Sequence, residues 1–178
     1  MKRAPLIKFL AWLALAIATF VLALLWFLNT RDETRVTPKS TGSATALASP
    51  ASPALLVRGE YLTRAGNCMT CHTARGGTPF AGGRGIETPF GTVFSSNLTP
   101  DAKTGLGTWS QDDFWRALHN GRSQNGRLLS PAFPYTNYTQ VSRADADAMH
   151  AYLQSLPPAS VPAEADTLRW PFNTQIAL

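Results

Sequence analysis

The two cysteines of this 178-residue chain stand three residues apart, in Cys68-Met69-Thr70-Cys71-His72, and this stretch constrains the fold more than any other. A thiol pair followed at once by an imidazole is the C-x-x-C-H signature of covalent haem attachment. The chemistry needs that spacing. Two thiols add across the two vinyl groups on one porphyrin edge, and the adjoining imidazole can then reach the iron as proximal ligand. Rival uses fit less well. A structural zinc centre needs four ligands, yet no second cysteine pair exists, and His119 and His150 lack the usual finger spacing. A thioredoxin-like pair would follow a strand in a βαβ setting, which the sequence lacks. A disulfide across so short a loop would be strained. The expectation is one covalent haem c, with thioethers at Cys68 and Cys71 and His72 as axial iron ligand.

Around this motif the sequence places three helices. One runs from about Ala54 to Ala65 behind Pro53, a residue that suits a first helical turn. A second has Ser110 as N-cap with Asp113 three residues on, buries Phe114, Ala117 and Leu118, and stops at Gly121. A third begins at Ser142, carries Ala146, Met149, Leu153 and Leu156 along one stripe, and ends at Pro157-Pro158. Between the first two, Gly76 to Gly107 holds eight glycines and reads as a long irregular loop wrapped around something. Only short β-like pieces such as Thr92 to Phe94 are expected there.

Upstream, Leu6 to Leu28 is an apolar run broken only by Lys8 and Thr19. As a helix it would span roughly 34 Å, enough to cross a hydrocarbon core of about 30 Å. A secretory signal usually has a shorter apolar region and a small-x-small cleavage site, and Trp26-Phe27-Leu28-Asn29 offers none. Lys2, Arg3 and Lys8 favour the N-terminus on the inner side, with the remainder exported. Residues 1–28 are therefore expected to form an inner tip and a retained single-pass anchor in a bacterial inner membrane, residues 29–54 a flexible Ser/Thr/Pro/Ala linker, residues 55–160 the haem domain on the periplasmic side, and residues 161–178 an extended tail. The net charge of +5 belongs mostly to the anchor, because residues 1–54 carry +4 and the remainder only +1. Nothing in that distribution is a nucleic-acid footprint.

Several stretches carry a family resemblance. They are Gly59-Glu60-Tyr61-Leu62, Thr88 to Thr92, Asn97 to Asp101, Thr104 to Ser110, Pro131-Ala132-Phe133-Pro134-Tyr135 and Ala151 to Pro158. Residues 55–160 thereby resemble class I c-type cytochrome domains, of the kind found in the cytochrome c subunits of membrane-bound alcohol, gluconate and aldehyde dehydrogenases. The resemblance implies an all-α fold with a long haem-wrapping loop, in which the first and last helices cross with Gly59 allowing close approach beneath Tyr152. It also implies a departure. Many relatives carry the methionine that supplies the sixth iron ligand at the position of Phe133, which has no donor atom. His119 is the most interesting substitute, Met149 and His150 being placed on the last helix and Met69 inside the attachment loop. Arg84 and Trp109 are candidate donors to a haem propionate, and Asn97 to the loop over the haem. Leu168 to Gln175 looks like the segment that leads, in longer relatives, into a second haem domain, so the chain is expected to be either a one-haem form or a truncated member.

The function this reading implies is electron transfer, not catalysis: from a periplasmic or membrane-bound dehydrogenase, through the haem, to another cytochrome or a terminal oxidase of the respiratory chain. The alternative is a haem enzyme, or a sensor that binds gas or peroxide at an open sixth site.

Overall fold

In the computed structural model, residues 4–30 and 51–174 are described, and they fall into two units. The first is a single helix, α1, from Ala4 to Thr30. Its segment Pro5–Phe27 has a mean hydropathy of 2.4 and is exposed along its whole length, so it is long and apolar enough to cross a membrane. Its one internal hydroxyl is satisfied: Thr19 Oγ1 donates to the carbonyls of Leu15 and Ala16, at 3.0 and 2.9 Å. An unsatisfied polar group would be costly in lipid. The expected linker falls almost entirely outside the described residues.

The second unit holds four helices and a small β-ribbon. Helix α2 (Pro53–Ala65) starts one residue earlier than its pattern suggests, because Ser52 caps it through Leu55 N–H and proline takes the first position. Helix α3 (Cys68–Cys71) is one turn long, entered through Asn67 in the left-handed region at φ 57°. Helix α4 (Gln111–Asn120) has both halves of a capping box between Ser110 and Asp113, and it ends at Gly121 in the left-handed conformation. Helix α5 (Arg143–Ser155) is capped by Ser142. A 3₁₀ turn covers Tyr135–Asn137.

The unit is mostly α-helical, and the short β-like piece expected at Thr92 to Phe94 has a partner. The loop between α3 and α4 contains an antiparallel ribbon of β1 (Gly85–Thr88) and β2 (Gly91–Phe94), with Gly85 opposite Phe94 and Thr88 opposite Gly91. The tail is not loose either. Thr167 N–H donates to Thr92 O and Arg169 N–H to Phe90 O, both at 2.9 Å, while Phe94 N–H donates to Asp166 Oδ1 at 2.8 Å. Phe172 stacks on Phe90 with centroids 3.7 Å apart. The tail thus runs along the outer edge of β2, supplying partners that a short ribbon lacks on its own.

The core joins Phe80, Leu106, Phe114, Trp115, Leu118, Ala146, Met149 and Leu153, with Leu62, Leu98, Trp109, Phe133 and Tyr138 packed around it. Helices α2 and α5 cross at Gly59, where an added Cβ would lie 2.0 Å from the Ala148 carbonyl oxygen and 2.8 Å from Tyr152 Cβ. Only a residue without a side chain permits that approach. The crossing is further tied by Arg58, whose guanidinium pairs with Asp145.

Candidate functional site

Local sequence builds the site at α3. Gly66 and Asn67 break α2 after Ala65, and the left-handed Asn67 turns the chain so that a fresh helical turn starts at Cys68. One turn then carries both thiols and delivers His72 at its C-terminus, where the His72 N–H donates to Cys68 O at 2.9 Å. Both cysteines are free: Cys68 is half-buried and Cys71 exposed. Burial pushes the Cys68 thiol up to about 11, with the neighbouring Cys71 adding to the rise. Held neutral and half-buried, this thiol suits a sulfur that ends as an uncharged thioether. Among the described residues no cluster of three or more His, Cys, Asp or Glu side chains is arranged to hold a metal ion.

His72 is oriented by the chain. Its Nδ1 lies 2.7 Å from the Ser96 carbonyl, which can only accept, so Nδ1 carries the proton and Nε2 is left with a free lone pair. Burial lowers its pKa, outweighing the Ser96 hydrogen bond that raises it, and so keeps the ring neutral, the form that ligates. The Ser96 carbonyl is a site group that sequence reasoning missed, because a backbone acceptor 24 residues away leaves no mark in a motif. The segment after His72 is locked as well: Gly82 N–H donates to His72 O at 2.8 Å, and Phe80 N–H to Thr73 Oγ1 at 3.1 Å. These residues fit a haem: two thiols on one turn, one imidazole with Nε2 free, and the apolar cluster of Phe80, Leu98, Phe114, Leu118 and Phe133 in the same domain.

Tyr138 was also missed. Its hydroxyl donates to Gly66 O at 2.9 Å, just ahead of Cys68, and burial followed by the two nearby cysteine side chains raises its phenol pKa. Phe133 stacks on it, with ring centroids 5.4 Å apart. The stretch around Phe133 is thereby brought to the thiols.

His119 is placed differently from the expectation. Its ring stacks on Trp115 at 3.3 Å; Nδ1 lies 3.1 Å from Trp115 O and Nε2 3.0 Å from Val141 O. Each ring nitrogen faces a backbone carbonyl because α4 ends at Gly121 without unwinding, so the ring turns toward the 141 segment, and a metal could reach it only if those contacts were given up. His150 is 5% exposed; its Nε2 accepts from Gln154 Nε2 at 3.2 Å, and it is hydrogen-bonded to the Trp109 backbone. Met149, 2% exposed, fills the core.

Arg84 and Trp109 are not brought together by any contact. Arg84 lines a surface cavity of about 450 Å³ beside α3, with Asn67, Met69, Thr70 and Arg75. Trp109 packs against the core. Asn97, by contrast, is a complete staple. It is 5% exposed; its amide donates to Thr104 Oγ1 at 2.9 Å and to Ala159 O at 2.7 Å, and its oxygen accepts from Thr99 N–H and Oγ1, both at 2.8 Å. It ties the long loop to the chain just after α5.

Residues 56–157 match the family model described as cytochrome c. Over 124 residues the chain is 45% identical to the gluconate 2-dehydrogenase cytochrome c subunit of Pantoea cypripedii, covering 69% of this chain and 28% of that one. It is 39% identical over 129 residues to the cytochrome c subunit of the quinone-dependent alcohol dehydrogenase of Gluconobacter oxydans, covering 72% and 27%. It is also 46% identical over 138 residues to one of the subunits of nicotinate dehydrogenase from Pseudomonas putida, covering 78% and 11%. The chain spans less than a third of the length of each of these relatives.

Proposed function

Since the chain belongs to the cytochrome c family and carries covalent haem c for electron transfer, we propose that it is a membrane-anchored, single-haem electron carrier that takes electrons from a dehydrogenase and passes them into a respiratory chain. The observation that carries the reading is the turn of α3, which gathers Cys68, Cys71 and His72, with the Nδ1 proton of His72 held by Ser96 O. The bound haem supplies a one-electron iron couple. Cys68 and Cys71 each contribute a sulfur to a thioether, which fixes the cofactor to the chain. His72 offers Nε2 to the iron, and its hydrogen bond to Ser96 O raises the basicity of the ring and fixes its plane. Phe80, Leu98 and Phe114 exclude water, and a low-dielectric wall favours the less charged ferrous form.

Trp109 and Arg84 are assigned as donors to a propionate. In support, neither the Trp109 indole N–H nor the Arg84 guanidinium makes a hydrogen bond or ion pair among the described residues, and a carboxylate beside apolar surface needs such donors. Helix α1 is assigned as the anchor in an inner membrane, with the haem domain on the periplasmic side; its length and hydropathy support this, as does the basic N-terminus. The names of the similar proteins favour a dehydrogenase as donor; a further cytochrome or an oxidase is assigned as acceptor because a one-electron carrier must pass its electron to another redox centre.

The test is expression of the chain with a cytochrome maturation system, followed by acid–acetone extraction. The haem should remain on the polypeptide, and Cys68→Ser combined with Cys71→Ser should release it. A wild-type chain that loses its haem in that extraction would overturn the reading.

A further inference from the structure

The iron of a c-type haem held by His72 has a second axial position, and the described residues contain few atoms able to fill it. Both nitrogens of His119 are engaged by backbone carbonyls. His150 accepts a hydrogen bond from Gln154 through Nε2 and is 5% exposed, on the face of α5 that packs against Phe114. Met149 is 2% exposed within the core cluster. Met69 lies inside the attachment turn, between the two thiols, and faces outward at 41% exposure. Lys103 is exposed on the turn held by Asp101, and the Tyr138 hydroxyl is spent on Gly66 O. Reaching the iron with His119, His150 or Met149 would mean giving up packed contacts on capped helices, while Met69 and Lys103 are exposed to solvent.

Polar residues, Arg64, Asn67, Thr70, Arg75 and Arg84, line the surface cavity beside α3, while the core cluster that Cys68 joins is apolar. Phe133 stacks on Tyr138, and Leu62, Leu98, Phe114 and Leu118 complete the cluster. Within it, the Tyr138 hydroxyl is spent on Gly66 O, and the indole N–H of Trp115 is buried without a partner. Such a surface suits a small neutral ligand, which needs no charged partner.

From this we infer that the sixth position of the iron in this chain is not taken by a protein side chain and is a binding site for small neutral diatomic ligands, carbon monoxide and nitric oxide, beside Phe133. The inference rests on the haem-attachment reading above and goes beyond electron transfer. Addition of carbon monoxide to ferrous iron forms one iron–carbon bond, breaks none and moves no proton.

The test uses the full chain, matured with its haem and held in detergent. Carbon monoxide is titrated into the dithionite-reduced protein and followed at the Soret band, and the ferric protein is examined by electron paramagnetic resonance. The expected result is one carbon monoxide per haem and a high-spin ferric signal. Phe133→Met should give a low-spin ferric signal with the methionine–iron charge-transfer band, and should weaken carbon monoxide binding at least tenfold. A wild-type protein that keeps its haem through acid–acetone extraction, yet is low-spin and silent to carbon monoxide, overturns this inference and leaves the carrier reading standing. Loss of haem in the extraction strikes the attachment reading instead. Conversion of a low-spin wild type to high spin by His119→Ala, His150→Gln or Met149→Leu would identify a protein ligand and overturn the inference as well. The wild-type titration decides the matter even if Phe133→Met does not fold.

Discussion

Gly59→Ala puts the helix crossing to a quantitative test. The new methyl carbon would stand 2.0 Å from Ala148 O, where ordinary van der Waals contact begins near 3.4 Å, so α2 and α5 must part by about 1.4 Å. A radial gap of that size forfeits half or more of the dispersion energy along the seam. The seam includes Ala148, Met149 and Leu153, all 2% exposed or less. Burial of the two large side chains contributes roughly 1.5–3 kcal/mol each, so the separation costs about 3–5 kcal/mol. Alanine returns about 1 kcal/mol through its better helix propensity. The net loss should be about 2–4 kcal/mol. A control isolates backbone strain from the clash: Gly126 has φ +80° with nothing within 4 Å, so Gly126→Ala should cost only about 1–2 kcal/mol. Guanidinium unfolding of the holoprotein, followed at the Soret band, measures both. If Gly59→Ala proves no more destabilising than Gly126→Ala, the close crossing is not what holds these helices.

Other expectations follow from the same geometry. Asn97→Ala removes four hydrogen bonds and leaves the N–H of Thr99, a residue 1% exposed, without its partner, so it should cost about 2–4 kcal/mol in the same unfolding assay. Asp113 is pushed up by burial, but its hydrogen bonds from Ser110 and the Arg116 guanidinium outweigh that and hold its carboxyl below the usual range. Its contribution is therefore present above the unfolded carboxylate pKa and lost as pH falls through the lower folded value; Asp113→Ala should cost about 1–2 kcal/mol at neutral pH and flatten the acid limb of a stability profile. Burial lowers the pKa of His150, so the unfolded chain binds the proton more readily and stability falls as pH drops from above about 6.5 toward the folded value. His150→Gln should remove that slope in the holoprotein, where His72 is committed to iron. Trp109→Phe should shift the reduction potential with little change in helix content, measured by spectroelectrochemistry and circular dichroism; an unmoved potential would remove Trp109 from the propionate site.

What could be read in advance was what is local in the chain. Ser110, Asp113 and Gly121 mark the ends of α4 by the hydrogen bonds they make within one turn, and the structure places the ends of α4 and α5 within a residue of the caps. The attachment motif was legible because its spacing is the chemistry. What escaped was non-local. The β-like piece at Thr92 to Phe94 was legible, but its pairing with Gly85–Thr88 and with tail residues 72 to 79 positions away was not, because two four-residue strands carry too short an alternation to show a partner. The orientation of His72 depends on a carbonyl, which every residue has. Helical position alone does not tell which carbonyls the His119 ring will meet; one of them belongs to Val141, on a different segment.

The seating of residues 166–169 against β2 has a consequence for crowding. A two-stranded ribbon offers a row of bare amides and carbonyls that a second polypeptide can zip onto, which is how many small domains stick to one another. Here the chain's own C-terminal stretch has claimed that row on the β2 side through Thr92, Phe90 and Phe94. Neighbouring copies packed side by side would meet a strip already sealed, so this border of the domain resists gluing copies into aggregates.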